Sequence, residues 1–319
     1  MTLLCTMSPH SPSMWMVRSQ AEPGNTCSSL FALCCWKGVG RGAPLPFCFF
    51  RTHPGEIMHD ALIAIIFFLL GAAVGSFTNV LIWRLPRRES ILFPGSHCPK
   101  CGAKIKFYDN IPIVSYIVLG GRCRNCGERI SPRYPIVEAL MAVSYLLIYL
   151  LSDPANILLI IQLAVLLPVF FALSWIDFEH YVIPDELTLS VAVAGIVFAG
   201  ISGGFKGVGF AIIAGGVGAI LFLVISAVGK KVFRKQALGE GDILLIGAVG
   251  TLVGVKGVFL VIFLSALLGA IFGIPFVLIS RRKKPNSDSA IPFGPFICAA
   301  TLIALIWGGK IIGWYLALF

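Results

Sequence analysis

Two aspartates stand where apolar runs meet polar loops. Asp242 follows Gly239-Glu240-Gly241, between a basic loop and the apolar stretch 243–254, and Asp177 closes the apolar run 156–176. A carboxylate at the mouth of a membrane segment is costly, so it is a functional-site hypothesis by default. Two carboxylates that share a site cannot both ionise easily. They hold one proton between them and serve as general base toward water and general acid toward a leaving amine. Brought together, Asp177 and Asp242 would therefore suit hydrolysis of a peptide bond. Gly239 and Gly241 suit a backbone that turns tightly or lies close to another segment. Asp185, after Pro184, suits the cap of a new helix, and Glu179 and His180 read as solvated or headgroup-facing. The five histidines are scattered, without a His-Glu-x-x-His pattern, and no Ser/His/Asp arrangement competes.

A second constellation is Cys98-Pro99-Lys100-Cys101 with Cys123-Arg124-Asn125-Cys126, each pair followed by glycine (Gly102, Gly127). Two such pairs about twenty residues apart suit a closed tetrahedral zinc site. Reduced cytoplasmic thiols disfavour two disulfides here. A four-cysteine site leaves no coordination position open, so its expected role is structural. His97 reads as a bystander. Of the other cysteines, five precede residue 58, and Cys298 lies in an apolar run as an ordinary buried thiol.

These residues must be positioned by membrane helices. The chain has 319 residues, 57% hydrophobic and 13% charged, whereas a soluble domain is about half apolar and about a quarter charged. Spanning runs are expected over 61–83, 134–151, 156–176, 187–201, 207–229, 242–255, 258–280 and 291–318. The expected fold class is an all-α polytopic membrane protein of about eight transmembrane helices, carrying a small cytoplasmic four-cysteine loop domain. Lys and Arg gather in the first loop (Arg84 to Arg133), after the fifth run (Lys230, Lys231, Arg234, Lys235) and after the seventh (Arg281 to Lys284). The positive-inside rule puts these loops in the cytoplasm and the N-terminus outside. Parity then places Asp177 and Asp242 at the same cytoplasmic face. The net charge of +10 is scattered among such loops, which argues against nucleic-acid binding.

Residues 1–57 read differently: they are rich in Ser, Pro, Cys and Gly, and their only apolar run, 28–36, is too short to span. The expectation is a mis-assigned or disordered extension, with Met58 as initiator. The expected organisation is then a first transmembrane helix over 58–83, the cytoplasmic cysteine loop over 84–133, and a membrane peptidase domain over 134–319.

In order, the chain carries Gly75-Ser76-Phe77-Thr78-Asn79-Val80 with Arg84-Leu85-Pro86, the four-cysteine loop, Tyr134-Pro135-Ile136-Val137-Glu138, Ile176-Asp177 with Ile183-Pro184-Asp185, Gly239-Glu240-Gly241-Asp242, and Ile291-Pro292-Phe293-Gly294-Pro295-Phe296. In these six motifs it resembles the type IV prepilin peptidases, membrane aspartic peptidases of the Gly-x-Gly-Asp class. The resemblance implies that Asp177 and Asp242 are the catalytic pair. It implies prepilin or pseudopilin substrates, cut on the cytoplasmic side of the bacterial inner membrane after a short basic leader, as part of a pilus or secretion assembly machinery. The cysteine loop implies a second activity, N-methylation of the new amino terminus with S-adenosylmethionine. Glu138 and Asn79 are candidates for the methyl-donor or substrate site, with helix packing as their alternative role. One departure is Leu244, where the family often has lysine two residues after the second aspartate. The rival readings are a membrane transporter or export-machinery component with a zinc-stapled loop, in which the aspartates bind ions, and a methyltransferase alone.

Overall fold

The computed structural model describes residues 54–233, 239–273, 275 and 292–318. The extension expected over 1–57 lies outside them apart from its last four residues. So do the basic runs at 234–235 and 281–284 and the end of the run expected over 258–280. The described residues form the helices α1 (Pro54–Arg84), α2 (Val114–Val118), α3 (Arg133–Leu151), α4 (Ile157–His180), α5 (Asp185–Phe233), α6 (Glu240–Leu268) and α7 (Gly294–Leu316), with a π-helical turn, Gly269–Gly273, after α6. No strand occurs among them, in keeping with a lipid solvent in which each backbone group must be satisfied within its own segment.

Six of these segments are long and apolar enough to cross a membrane: Met58–Arg87, Arg133–Leu151, Ile157–His180, Asp185–Val232, Glu240–Gly273 and Gly294–Leu316. Two contain a residue with non-helical backbone. Gly204 in α5 has φ 58° and ψ −148°, and Gly254 in α6 has φ 71° and ψ 174°. At Gly204 the chain doubles back, because a Cβ on Gly207 would fall 2.2 Å from the Ala199 carbonyl oxygen. Eight residues of straight helix would separate those positions by about 12 Å. The expected runs 187–201 and 207–229 are the two arms of this hairpin, and the runs 242–255 and 258–280 meet at the Gly254 break.

The helices pack through small residues, as membrane helices do when apolar burial supplies no driving force between them. A Cβ at Gly75 would lie 2.8 Å from the Glu138 Cα, which brings α1 onto α3. A Cβ at Gly250 would lie 2.6 Å from the Ala214 carbonyl oxygen, which brings α6 onto α5. The buried core gathers Ile82 of α1, Val137 of α3, Phe170 and Ile176 of α4, Val191 of α5, Leu245 and Val249 of α6, and Ile297 of α7. Large apolar side chains such as Ile65, Leu140, Ile161, Ile212 and Phe263 point outward, an arrangement suited to lipid.

Candidate active site and metal centre

Asp177 lies near the C-terminal end of α4 and is buried. The helix ends three residues later because Tyr181 takes the left-handed conformation (φ 55°, ψ 35°) and returns its N–H to the Asp177 carbonyl at 2.9 Å, with Pro184 following. Asp177 Oδ2 accepts the Gly294 N–H at 2.9 Å, at the first residue of α7. A Cβ at Gly294 would stand 2.7 Å from that same oxygen, so only glycine lets the backbone reach the carboxylate.

Asp242 is the third residue of α6 and is also buried. Its Oδ2 accepts the Gly239 N–H at 3.2 Å, so the aspartate closes a capping box on its own helix start. Ile183 joins the two halves. It would lie 3.0 Å from a Cβ on Gly241 and 3.4 Å from a Cβ on Gly294. Buried Cys298 lies on α7, four residues after Gly294. The chain therefore brings Asp177, Asp242, Gly239 and Gly241 to one end of the helices. Asp185 starts α5, as expected, as its first helical residue, with an exposed side chain.

Glu179 is exposed at the end of α4, as expected, and it also has specific partners. It accepts the Trp175 indole N–H at 2.8 Å and pairs with Arg133 at 3.4 Å. Arg133 opens α3, and its guanidinium lies over the rings of Trp83 and Tyr134. Arg84 organises the start of the polar loop, donating to the carbonyls of Ser90 at 2.8 Å and Pro94 at 2.6 Å. Arg84 belongs to a motif that the sequence displays, whereas Arg133 stood out only as loop charge; its position at a helix end was the available signal.

The cysteine loop folds as two like halves. Cys98 N–H donates to Ala103 and Gly102 N–H to Cys98, while Cys123 N–H donates to Glu128 and Gly127 N–H to Cys123. Gly102 and Gly127 have φ of 69° and 68°, the left-handed turn for which the sequence placed glycine there. The four Sγ atoms lie within 4.8 Å of one another, close enough to hold one metal ion. The Ala103 amide, helped by Asn125, draws the Cys101 thiol down to about 6. The amides of Cys126 and Asn125 lower Cys123 as well. The Glu128 amide favours the Cys126 thiolate, but desolvation, followed by the three neighbouring cysteine sulfurs, carries that thiol up to about 11. Lys100 and Glu128 form an ion pair between the halves, and Arg124 holds Asp109 bidentately, with contacts of 2.6 and 2.9 Å.

Asn79 and Glu138 sit where this loop meets α1 and α3. Asn79 Nδ2 donates to the Gly75 and Tyr134 carbonyls at 3.3 and 3.2 Å, and its Oδ1 is buried without a partner among the described residues. Glu138 Oε2 accepts the Ile113 N–H at 2.7 Å.

Two family models match this chain: the bacterial peptidase A24 N-terminal domain over residues 69–152 and the type IV leader peptidase family over residues 164–274. The prepilin leader peptidase/N-methyltransferase of Aeromonas salmonicida is 34% identical over 275 residues, covering 78% of this chain and 92% of that protein. That of Pseudomonas aeruginosa is 33% identical over 284 residues, 81% of this chain and 95% of its own. The type 4 prepilin-like proteins leader peptide-processing enzyme of Escherichia coli is 33% identical over 243 residues, 70% and 87% respectively. The chain belongs to the type IV leader peptidase family. No solved structure matches it. The four cysteines fall within the first matched region and both aspartates within the second, whereas Gly294, which anchors Asp177, lies beyond either. Leu244, at the position where the resemblance leads one to expect lysine, is 54% exposed and two residues along α6 from buried Asp242. Two residues are about 200° of helix rotation, so this side chain faces away from the aspartate.

Proposed function

We propose that this chain cleaves the short basic leader of type IV prepilins or pseudopilins, with Asp177 and Asp242 as the catalytic pair, and then N-methylates the new amino terminus. The observation that carries the peptidase reading is that two buried aspartates, from different helices, stand at segment ends bridged by Ile183, which packs against Gly241 beside Asp242 and against Gly294, the partner of Asp177. In this reading each aspartate spends one oxygen on a backbone N–H, from Gly294 or Gly239, which orients it. The other oxygens address a water. The ionised member takes the water's proton as the water attacks the scissile carbonyl; the protonated member donates to that carbonyl oxygen and the pair then returns a proton to the leaving amine. Asp177→Asn and Asp242→Asn, assayed as purified protein in detergent with a prepilin substrate, should each lower cleavage by roughly 10²- to 10⁴-fold. Normal cleavage by either variant would overturn the assignment.

The finer architecture goes with this reading. The chain crosses the bacterial inner membrane eight times, counting each arm of α5 and α6, with the N-terminus outside and both the cysteine loop and the aspartates in the cytoplasm. The Arg133–Glu179 pair supports this, because it ties the end of the cysteine loop to the Asp177 end of α4. A basic leader would then approach acidic Asp185, Glu186 and Glu240, while its apolar continuation lies along the helices.

Zinc is the metal that suits the sulfur cluster. A tetrahedral zinc–thiolate site needs sulfurs about 3.8 Å apart, and Cys98 Sγ and Cys126 Sγ stand 3.9 Å apart. Cys98, Cys101, Cys123 and Cys126 would hold it as a staple of the loop. S-adenosylmethionine, when bound, would supply an electrophilic methyl group to the free amine. The buried, unpartnered Asn79 Oδ1 is an acceptor that such a cationic, amine-bearing molecule requires, and with Glu138 it marks the donor or substrate region.

A further inference from the structure

Ile113 is held at φ 64° and ψ −51°, where a β-branched residue is a genuine outlier. The Val114 N–H donates to the Pro112 carbonyl at 2.6 Å, closing a three-residue γ-turn of the rare, strained hand. Such backbone persists only where its surroundings over-determine it. Here the determinant is Glu138, 8% exposed on α3, whose carboxylate accepts the Ile113 N–H. Gly75 of α1 lies against the Glu138 Cα, so α1 backs the helix face that carries this carboxylate. Beyond the turn, Ser115 Oγ accepts the Ile111 N–H and donates to the Tyr108 carbonyl, each at 3.0 Å. Asp109 then meets Arg124, which lies within the second cysteine pair. A continuous run of bonds links a buried membrane carboxylate to the second cysteine pair of the loop.

We propose that Glu138 is a positioning residue for methyl transfer: its carboxylate holds the strained turn at Ile113 and so seats the cysteine loop on the α1–α3 pair. This rests on the methyltransferase reading above. It gives Glu138 a role through the turn, beside the region that Asn79 marks. The cleavage residues sit on α4, α6 and α7, so the two reactions separate on substitution.

The test uses the full-length protein in detergent with a prepilin substrate, reading leader cleavage, methyl incorporation and bound metal separately. Glu138→Ala should lower methyl incorporation on the order of tenfold to a hundredfold, the population shift that loss of a hydrogen bond to a charged group produces. Cleavage and metal content should hold. Glu138→Gln keeps an acceptor oxygen at the same reach and should methylate well. Glu138→Asp keeps the charge but withdraws it by one methylene, and should methylate poorly; this pair carries the test if the alanine variant does not accumulate. Adding Ile113→Gly to Glu138→Ala should recover methylation, because glycine takes positive φ without strain. The proposal is overturned if cleavage falls together with methylation, if Asp retains what Gln loses, or if Ile113→Gly rescues nothing. Wild-type protein that cleaves but never methylates overturns the underlying methyltransferase reading. Normal methylation by Glu138→Ala overturns the role of the turn alone.

Discussion

Glycine backbone, not another side chain, orients each aspartate, and this makes the site sensitive to single methyl groups. A Cβ at Gly294 would displace the Asp177 carboxylate from 2.7 Å. Gly294→Ala should lower cleavage by roughly 10²-fold, the effect of a misplacement of about 1 Å in a reacting group, while methylation of a pre-cleaved pilin persists. Equal loss of both activities in a two-substrate assay would count against it. Leu244 makes the opposite case. Its outward position says that a lysine there would reach toward the bilayer surface, not toward Asp242. Leu244→Lys should change cleavage by no more than about twofold, the scale of surface substitutions. A large gain in kcat would show that the side chain does reach the site.

At the scale of elements, the decisive pairing is α5 on α6, since α6 carries Asp242 on a helix held by close backbone contact. A Cβ at Gly195 would fall 2.0 Å from Thr251 Oγ1, and Thr251 itself bonds the Ala248 carbonyl at 2.7 Å. Gly195→Val should destabilise the protein by about 1–3 kcal/mol through overpacking, read as a lower midpoint of thermal unfolding in detergent, with cleavage falling as α6 shifts. An unchanged midpoint would mean that the two helices have room between them. Gly204 is a different kind of requirement: φ 58° with ψ −148° is a region that essentially only glycine occupies.

For the molecule as a whole, the cysteine loop meets the helices through Arg133 with Glu179 and Ile113 with Glu138, and through Leu85 and Ile91, which pack against the core. The four sulfurs of the loop lie within 4.8 Å of one another. Cys98→Ser or Cys123→Ser should release the metal, measured by elemental analysis of the purified protein, and should impair methylation more than cleavage. Intact protein without zinc would remove that prediction.

Composition and motif order in the sequence alone determined an all-helical membrane chain, two carboxylates at segment ends and four cysteines at metal-binding spacing. These are local properties: run length, residue type and spacing act over one helix or one loop. The expected run boundaries at 201 and 207 also matched a real break, because Gly203 and Gly204 interrupt the pattern where the chain reverses. Tertiary structure alone decided the rest. That Gly294 anchors Asp177 across 117 residues, that Glu179 pairs with Arg133, and that Glu138 holds a turn in the loop all depend on which helix ends lie side by side. Position 244 shows the same limit from the other direction: its place in the sequence put it beside Asp242, and helix rotation turned it away. A hydrogen bond of about 3 Å between distant segments leaves no periodic trace in either one, so the site became readable only once the helices were packed.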